Sequence, residues 1–422
     1  MEQQQTQLNP VLFIGIDWAD QKHDVYVIDA EGGGRHCQID STAEAIEKWV
    51  TEMKREAGEA PIAIMLEQSR GALAHALMFR EGVVLYPINP KQFSHYRESY
   101  SAAGSKSDPS DARMMARLLR ERIQILRAWT ADDEETRLLA RLCQQRRKFV
   151  DEHTRTRQQL ISQLKLYFPH ALELWGTKPQ EELLADLLGR WPDPRQMKRA
   201  DRRLLAKVLN SHGLRNKEKQ QEVIDRIRKM TLLTKDEAII KPLAITVKVL
   251  VTTLRQYKKA VENLETDIDS LVKKHPDASL FTQLRGAGKA LAPRLLTAFG
   301  SQRDRWANAD EIAAFCGIAP VTKQSGKQRQ VHRRFACPKY LRQTFHEFAD
   351  HARKWCPWTG AVYRLLRQEK KMKHHAALRK IARSWIRILF KVWKDRSPYQ
   401  PDRYLHQLIQ KRPEIVKYLP TK

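Results

Sequence analysis

Four acidic residues, Asp17, Glu67, Asp108 and Asp111, are the first candidates for chemistry in this sequence. Asp17 closes an apolar run at residues 11–17 (VLFIGID), and Glu67 closes another at residues 61–67 (PIAIMLE). Both runs read as buried strands that end in an acid. Asp108 and Asp111 lie three apart at the start of SDPSDARMMARLL, so a helix there presents both to one side. Carboxylates gathered this way repel one another: at about 4 Å and an effective dielectric of about 20, each like pair costs roughly 4 kcal/mol. Protons or hard cations relieve that cost. An oxygen-only donor set selects magnesium (Mg2+), with manganese as the alternative. Such ions can hold a scissile phosphate and stabilise the attacking and leaving oxygens. Singly, each acid has a plainer role, since Asp108 would also serve as a helix cap. Together the four favour a metal site.

A nucleophile is sought in residues 315–329 (FCGIAPVTKQSGKQR). Ser325 precedes a glycine in an expected loop and is surrounded by Lys323, Lys327 and Arg329. Attack on a phosphodiester needs an exposed hydroxyl and nearby cations, which this segment offers. On composition alone, a Ser-Gly pair in a loop is more often an ordinary turn. Arg333 and Arg334 follow as candidate phosphate clamps, because the guanidinium fork matches that anion. Upstream, residues 284–292 (LRGAGKALA) place a Gly-x-Gly turn between helical stretches, flanked by Arg285 and Lys289. This resembles a helix-hairpin-helix motif, in which backbone N–H groups approach a DNA phosphate.

The elements that must position these groups fall into three regions. Residues 10–125 alternate strands and helices in the order strand, strand, strand, helix, strand, helix, strand, helix. Ser41 is expected to start the first helix, with Glu44 completing a capping box. Three hairpin-linked strands followed by crossover-linked parallel ones are the ribonuclease-H-like α/β arrangement, here with a mixed five-stranded sheet. Residues 126–275 read as a helical spacer and multimerisation region. Apolar residues from Leu243 to Leu271 recur there every three or four positions, which suits a coiled coil, a helical hairpin or a helix packed on its own domain. Residues 276–396 form a mainly helical region that would carry Ser325 and nucleic-acid binding, and residues 397–422 form a tail lying across the surface.

The formal charge of +27 points to a polyanionic partner. It is unevenly spread, about −4 over residues 1–120 and about +19 over residues 301–422, which separates chemistry from grip along the chain. No apolar run reaches the roughly 18 residues a bilayer span needs, so no membrane association is expected. The polar start lacks a secretion signal, and a cytoplasmic location follows. Five scattered cysteines suit reduced thiols better than disulfides or zinc, for which His351 with Cys356 would be the weak candidate pair.

Four stretches together carry a resemblance: GIDWADQKHDVYVID around Asp17, the strand ending in Glu67, INPKQFSHYR leading to KSDPSDA, and LRGAGKALAPRLLTAFG followed by FCGIAPVTKQSGKQR. Over nearly its whole length the sequence resembles the DEDD-type insertion-sequence transposases of the insertion-sequence-110 family. The resemblance implies a RuvC-like N-terminal domain and a C-terminal transposase domain. Residue by residue, Asp17, Glu67, Asp108 and Asp111 match the metal-binding tetrad and Ser325 the nucleophile. It also implies cleavage and rejoining of donor and target DNA, an element-encoded bridge RNA as guide, a homo-oligomer, and a prokaryotic, nucleoid-associated setting. Two departures stand out: the family's K-T-D is Lys106-Ser107-Asp108 here, followed by Pro109, and the helical middle is long. Two rivals remain open: a junction resolvase or nuclease in which metal-activated water attacks, and a nucleic-acid-binding scaffold without activity.

Overall fold

Alternating apolar residues build the first sheet. The strands are β1 (Leu12–Asp17), β2 (Lys22–Asp29), β3 (Gly34–Asp40), β4 (Ile62–Leu66) and β5 (Val83–Pro87), and the helices between and after them are α1 (Ala43–Ala57), α2 (Ala72–Leu77), α3 (Pro90–Tyr100) and α4 (Asp108–Arg122). The spatial order is β3-β2-β1-β4-β5. β1, β2 and β3 pair antiparallel, while β4 and β5 join parallel to β1. This is the expected ribonuclease-H-like mixed sheet of five strands.

The computed structural model describes residues 9–67, 71–100, 108–173, 178–326 and 328–420. It divides into two units: Met1–Asp133 with Gln302–Ala307 and Arg334–Ala336, and Glu134–Ser301 with Asn308–Arg333 and Cys337–Lys422.

In the first unit the period of two sends residues to opposite faces of the sheet. Leu12, Ile14 and Ile16 meet Val25, Val27, Ile62 and Ile64, and this face is covered by Trp49, Val50 and Met53 of α1 and Leu73 and Leu77 of α2. Phe13, Ile28, Ala63 and Met65 form the other face, covered by Phe93 of α3 and by Met115, Ala116 and Leu119 of α4. Each large side chain withdrawn from water in this way contributes about 2 kcal/mol. One detail differs from expectation. The cap of α1 is Thr42, whose side chain accepts from the Ala45 N–H. Ser41 instead donates its backbone N–H to the Gln21 carbonyl, at 2.8 Å, at the end of the sheet. Glu44 thus falls one position early for the reciprocal capping bond.

Among its described residues, the regular elements of the second unit are helices and one hairpin. Its long helices α5 (Glu134–Tyr167) and α11 (Glu237–Lys274) pack along each other. Between them in sequence lie α6 (His170–Glu173), α7 (Lys178–Arg190), α8 (Pro194–Arg199), α9 (Arg202–Ser211) and α10 (Lys217–Lys229). Val247, Val251 and Leu254 of α11 are buried with Leu184, Leu187 and Leu188 of α7 and Leu205 and Leu209 of α9. Beyond that core Tyr257, Val261 and Leu264 are only half-buried. The periodic apolar seam is therefore a helical hairpin within one chain.

The chain then runs through α12 (Ala278–Thr282), α13 (Gly288–Phe299), α14 (Ala309–Phe315), the hairpin β6 (Val321–Ser325) and β7 (Gln328–His332), α15 (Lys339–Trp355), α16 (Pro357–Gln368), α17 (His374–Lys394) and α18 (Pro401–Lys411). Leu378, Ile381, Trp385, Leu389 and Val392 of α17 are all buried, as their spacing predicts. The tail is more structured than expected: it forms α18 and a closing 3-10 turn at Pro413–Tyr418, which buries Ile415 and packs on α16. No described helix is long and apolar enough to cross a membrane.

Candidate active site

Parallel pairing of β1 with β4 ends at Ile16 opposite Leu66. Asp17 and Glu67 therefore leave neighbouring strand ends side by side, as sequence order requires. The third acid depends on one glycine. A Cβ at Gly15 would fall 2.1 Å from the Ala112 carbonyl oxygen and 2.5 Å from the Ala116 nitrogen. Only a residue without a side chain lets α4 lie this close to β1. Ala112 follows Asp111, so the contact brings Asp111 to the end of β1 that carries Asp17. Asp111 is 1% exposed. Asp108, one turn earlier as the first residue of α4, is exposed.

Arg97 of α3 donates Nη1 to both carboxylate oxygens of Asp111, at 3.1 and 2.8 Å. A polar cluster holds α3 against α4 so that this pair can form. Glu121 accepts from the hydroxyls of Tyr96 (3.1 Å) and Tyr100 (2.9 Å) and from Arg117 Nε (2.8 Å). The Arg117 guanidinium also stacks 4.8 Å over the Tyr100 ring. These donors keep the Glu121 carboxyl below the usual carboxylate range against the opposing effect of burial.

Sequence reading missed a fifth acid. Asp24 stands directly opposite Asp17 in the antiparallel register, so the two side chains share a sheet face. Its buried carboxylate accepts from Gln38 Nε2 at 3.2 Å and lies 2.7 Å from His36 Nε2. The signal was present: strand alternation puts Asp24, Tyr26 and Ile28 on one face. Nearby, His23 is 2% exposed, and its Nδ1 accepts from the Ala19 N–H at 3.2 Å. Burial lowers its pKa and favours the neutral imidazole.

Among the described residues, no three His, Cys, Asp or Glu side chains come together as a group able to hold a metal ion. The chemistry of the acids nonetheless suits a hard cation, and a cation already sits at Asp111, in the form of the Arg97 guanidinium. Magnesium binding there requires Asp111 to exchange one positive partner for another. The zinc candidates His351 and Cys356 gain no third ligand among the described residues. Burial raises the Cys356 thiol pKa, which keeps it protonated.

Ser325, in the second unit, is the last residue of β6, opposite Gln328. It is exposed, as are Lys323 and Arg329. The expected loop is thus the tip of a two-stranded hairpin that turns at Gly326, where φ is +55°. Lys327, also expected to contact nucleic acid, lies outside the described residues, as do Lys106 and Ser107. Arg333 follows β7 and is exposed, and Arg334 is half-buried. Arg285 is exposed on the α12–α13 turn, and Lys289 pairs with Asp269 at 3.1 Å. The two glycines of that turn differ. Gly286 has φ +89°, and a Cβ there would meet the Ala352 backbone of α15 at 2.9 Å, so it serves packing. Gly288 has φ +56° and open space around it, which is what a phosphate approaching the backbone needs.

A five-stranded ribonuclease-H-like sheet with acids at adjacent strand ends defines a class of enzymes that act on nucleic-acid phosphodiesters, and comparison with known proteins narrows it to DNA transposases. A family described as "Transposase" of the DEDD IS110 type matches residues 14–169, and one described as "Transposase IS116/IS110/IS902 family" matches residues 278–364. Together these matches take in more than half of the chain. It is 26% identical to the "Mini-circle putative transposase for IS117" of Streptomyces coelicolor, over 94% of this chain and 98% of that protein. It is also 26% identical to an IS900 insertion-element protein of 42 kDa from Mycobacterium paratuberculosis, over 82% of this chain and 85% of the relative. The chain belongs to the IS110 family of transposases.

Proposed function

We propose that this transposase cuts and rejoins DNA with two sets of groups. These are the carboxylates Asp17, Glu67, Asp108 and Asp111, as ligands of magnesium or manganese, and Ser325, as the nucleophile. The reading is supported by the close approach of α4, which begins with Asp108 and Asp111, to β1 at Gly15, and by the pairing of β1 with β4, whose neighbouring ends lead to Asp17 and Glu67. A divalent ion held there would supply Lewis acidity at the scissile phosphate. The Ser325 oxygen bonds to phosphorus while a deoxyribose oxygen departs and takes up a proton. Attack by a deoxyribose hydroxyl of the exchanged strand then reverses the step, so the phosphodiester energy is conserved for rejoining. Lys323, Lys327 and Arg329 around Ser325, with Arg333 and Arg334, offset the phosphate charge, and Arg285 and Lys289 grip DNA at the α12–α13 turn.

On this reading residues 10–125 carry the acid site, 126–275 the spacer and multimerisation surface, and 276–396 the serine and nucleic-acid grip, followed by the tail at 397–422. The protein works as a homo-oligomer at the prokaryotic nucleoid, guided by a bridge RNA. The guide and the oligomer rest on the family resemblance and the +27 charge. The test is to denature reactions with labelled DNA in SDS. Wild type should leave a covalent protein–DNA adduct that Ser325→Ala lacks. An adduct persisting in Ser325→Ala removes the serine from this role and leaves hydrolysis by water as the mechanism.

A further inference from the structure

Within the helical middle of the chain, α8, α9 and α10 form a small bundle of their own. Met197, Leu205, Val208, Leu209, Ile224 and Ile227 are its buried apolar residues. Side chains tie its helices together: Lys198 Nζ donates to the Met230 carbonyl at 2.8 Å and Arg228 Nη2 to the Ala200 carbonyl at 2.6 Å. Hydrogen bonds also close the short turn from α9 into α10. Gly213 takes a left-handed φ of +84°, and Leu214 donates its N–H back to the Leu209 carbonyl at 3.1 Å. Asn216 then caps α10 by accepting from the Lys219 N–H at 3.0 Å. Two packed helices joined by a short glycine turn are the arrangement that offers a helix to a DNA groove.

The surface of this bundle is cationic. Residues 195–229 hold twelve Lys and Arg against four Asp and Glu. Three of the four acids are occupied: Asp201 caps α9, Glu222 pairs with Arg226, and Asp225 lies 3.9 Å from Arg202. Glu218 is the fourth. Arg199, Arg203, Lys207, Arg215, Lys217 and Lys219 are exposed, and none forms an ion pair among the described residues. Arg203 and Lys207 lie one turn apart on α9, and Lys217 and Lys219 belong to the first turn of α10. We infer that this bundle is a separate binding site for double-helical DNA, gripping the phosphates through Arg203, Lys207, Lys217 and Lys219. The form of the partner follows from composition and groove size. Residues 195–229 contain no Phe, Tyr or Trp, the side chains on which unpaired bases stack in single strands and RNA loops. The major groove of DNA admits an α-helix, whereas that of A-form RNA is too deep and narrow. The grip goes beyond the acids and Ser325 and needs neither cleavage nor metal, so its test is run in EDTA and stands or falls independently of them.

The full chain is titrated with a labelled 20-base-pair DNA duplex, with an RNA duplex of matching sequence and with one DNA strand alone, over a series of salt concentrations. Arg203→Gln/Lys219→Gln should flatten the slope of log affinity against log salt by about 2 on the DNA duplex. Lys241→Gln/Lys248→Gln removes the same charge from exposed positions on α11 and should leave that slope unchanged. Equal flattening by both doubles, none by the first, or flattening confined to RNA or the single strand overturns the site. A second measurement needs no variant. Adding the DNA duplex to wild type should protect Lys207, Lys217 and Lys219 several-fold from acetylation by acetic anhydride while Lys241 and Lys248 react as before. Unprotected lysines on α9 and α10 also overturn the proposal.

Discussion

Arg97 holds both carboxylate oxygens of Asp111, which is almost wholly buried where β1 ends. The acid proposed as a metal ligand is thus charge-balanced by an arginine on the neighbouring helix. Removing one partner of a buried pair leaves the other uncompensated, at a cost of about 3 kcal/mol. Arg97→Ala should therefore lower the melting temperature in EDTA and recover most of the loss in millimolar magnesium, because an ion bound only by the folded state restores the missing charge. Calorimetry with and without magnesium checks this. Equal melting temperatures for Arg97→Ala in the two buffers would rule out the exchange.

Gly15 offers a test of the same site from the other side. Gly15→Ala drives a methyl group into the Ala112 carbonyl and the Ala116 nitrogen, and backbone at both contacts leaves little room to yield. Overpacking of this kind costs about 1–3 kcal/mol. Lifting α4 also moves Asp111 away from Asp17. Urea unfolding should show the destabilisation, and magnesium-dependent DNA cleavage should fall further than stability alone explains. Full cleavage by a destabilised but folded Gly15→Ala protein would separate the helix contact from the chemistry.

The strand order was readable because it follows from local signals: apolar alternation in β1 and β2, glycine turns, and acids ending β1 and the segment after β4. The role of Gly15 was not readable. Nothing in VLFIGID reveals that a helix about a hundred residues later presses its backbone there. The Arg97–Asp111 pair escaped for the same reason, since ion pairing between helices leaves no periodicity in the sequence. Ser41 and Thr42 are both residue types that cap helices, and only the sheet bond from Ser41 to Gln21 decides between them. The apolar seam of α11 was legible as a seam, while its partner, α5, was fixed by tertiary packing.

His346 makes stability depend on pH in a definite direction. Its folded-state pKa of about 4 lies below the ordinary histidine value. The unfolded chain therefore binds this proton more readily than the folded one. The histidine's neutral-state stability is complete above about pH 6.5 and is lost as the pH falls from there toward about 4. Carboxylates titrate in part of the same window, so the contrast with His346→Gln is the useful quantity. The urea midpoint of wild type should fall more steeply between pH 6.5 and 4.5 than that of the variant. Parallel curves would mean that His346 is not held neutral by its surroundings.

The α12–α13 turn separates packing from binding within one motif. Gly286→Ala both strains a positive φ and meets the Ala352 backbone at 2.9 Å, so it should destabilise the second unit by about 2 kcal/mol or more. Gly288→Ala meets no atom within 4 Å and bears only the cost of its conformation, about 1 kcal/mol. If the backbone at Gly288 receives a DNA phosphate, the added methyl blocks that approach. Gly288→Ala should then bind duplex several-fold more weakly while melting within a few degrees of wild type. Gly286→Ala should show the opposite pattern once folded at low temperature, with a large loss of stability and nearly unchanged affinity. Wild-type affinity in Gly288→Ala would leave this turn as a packing device only.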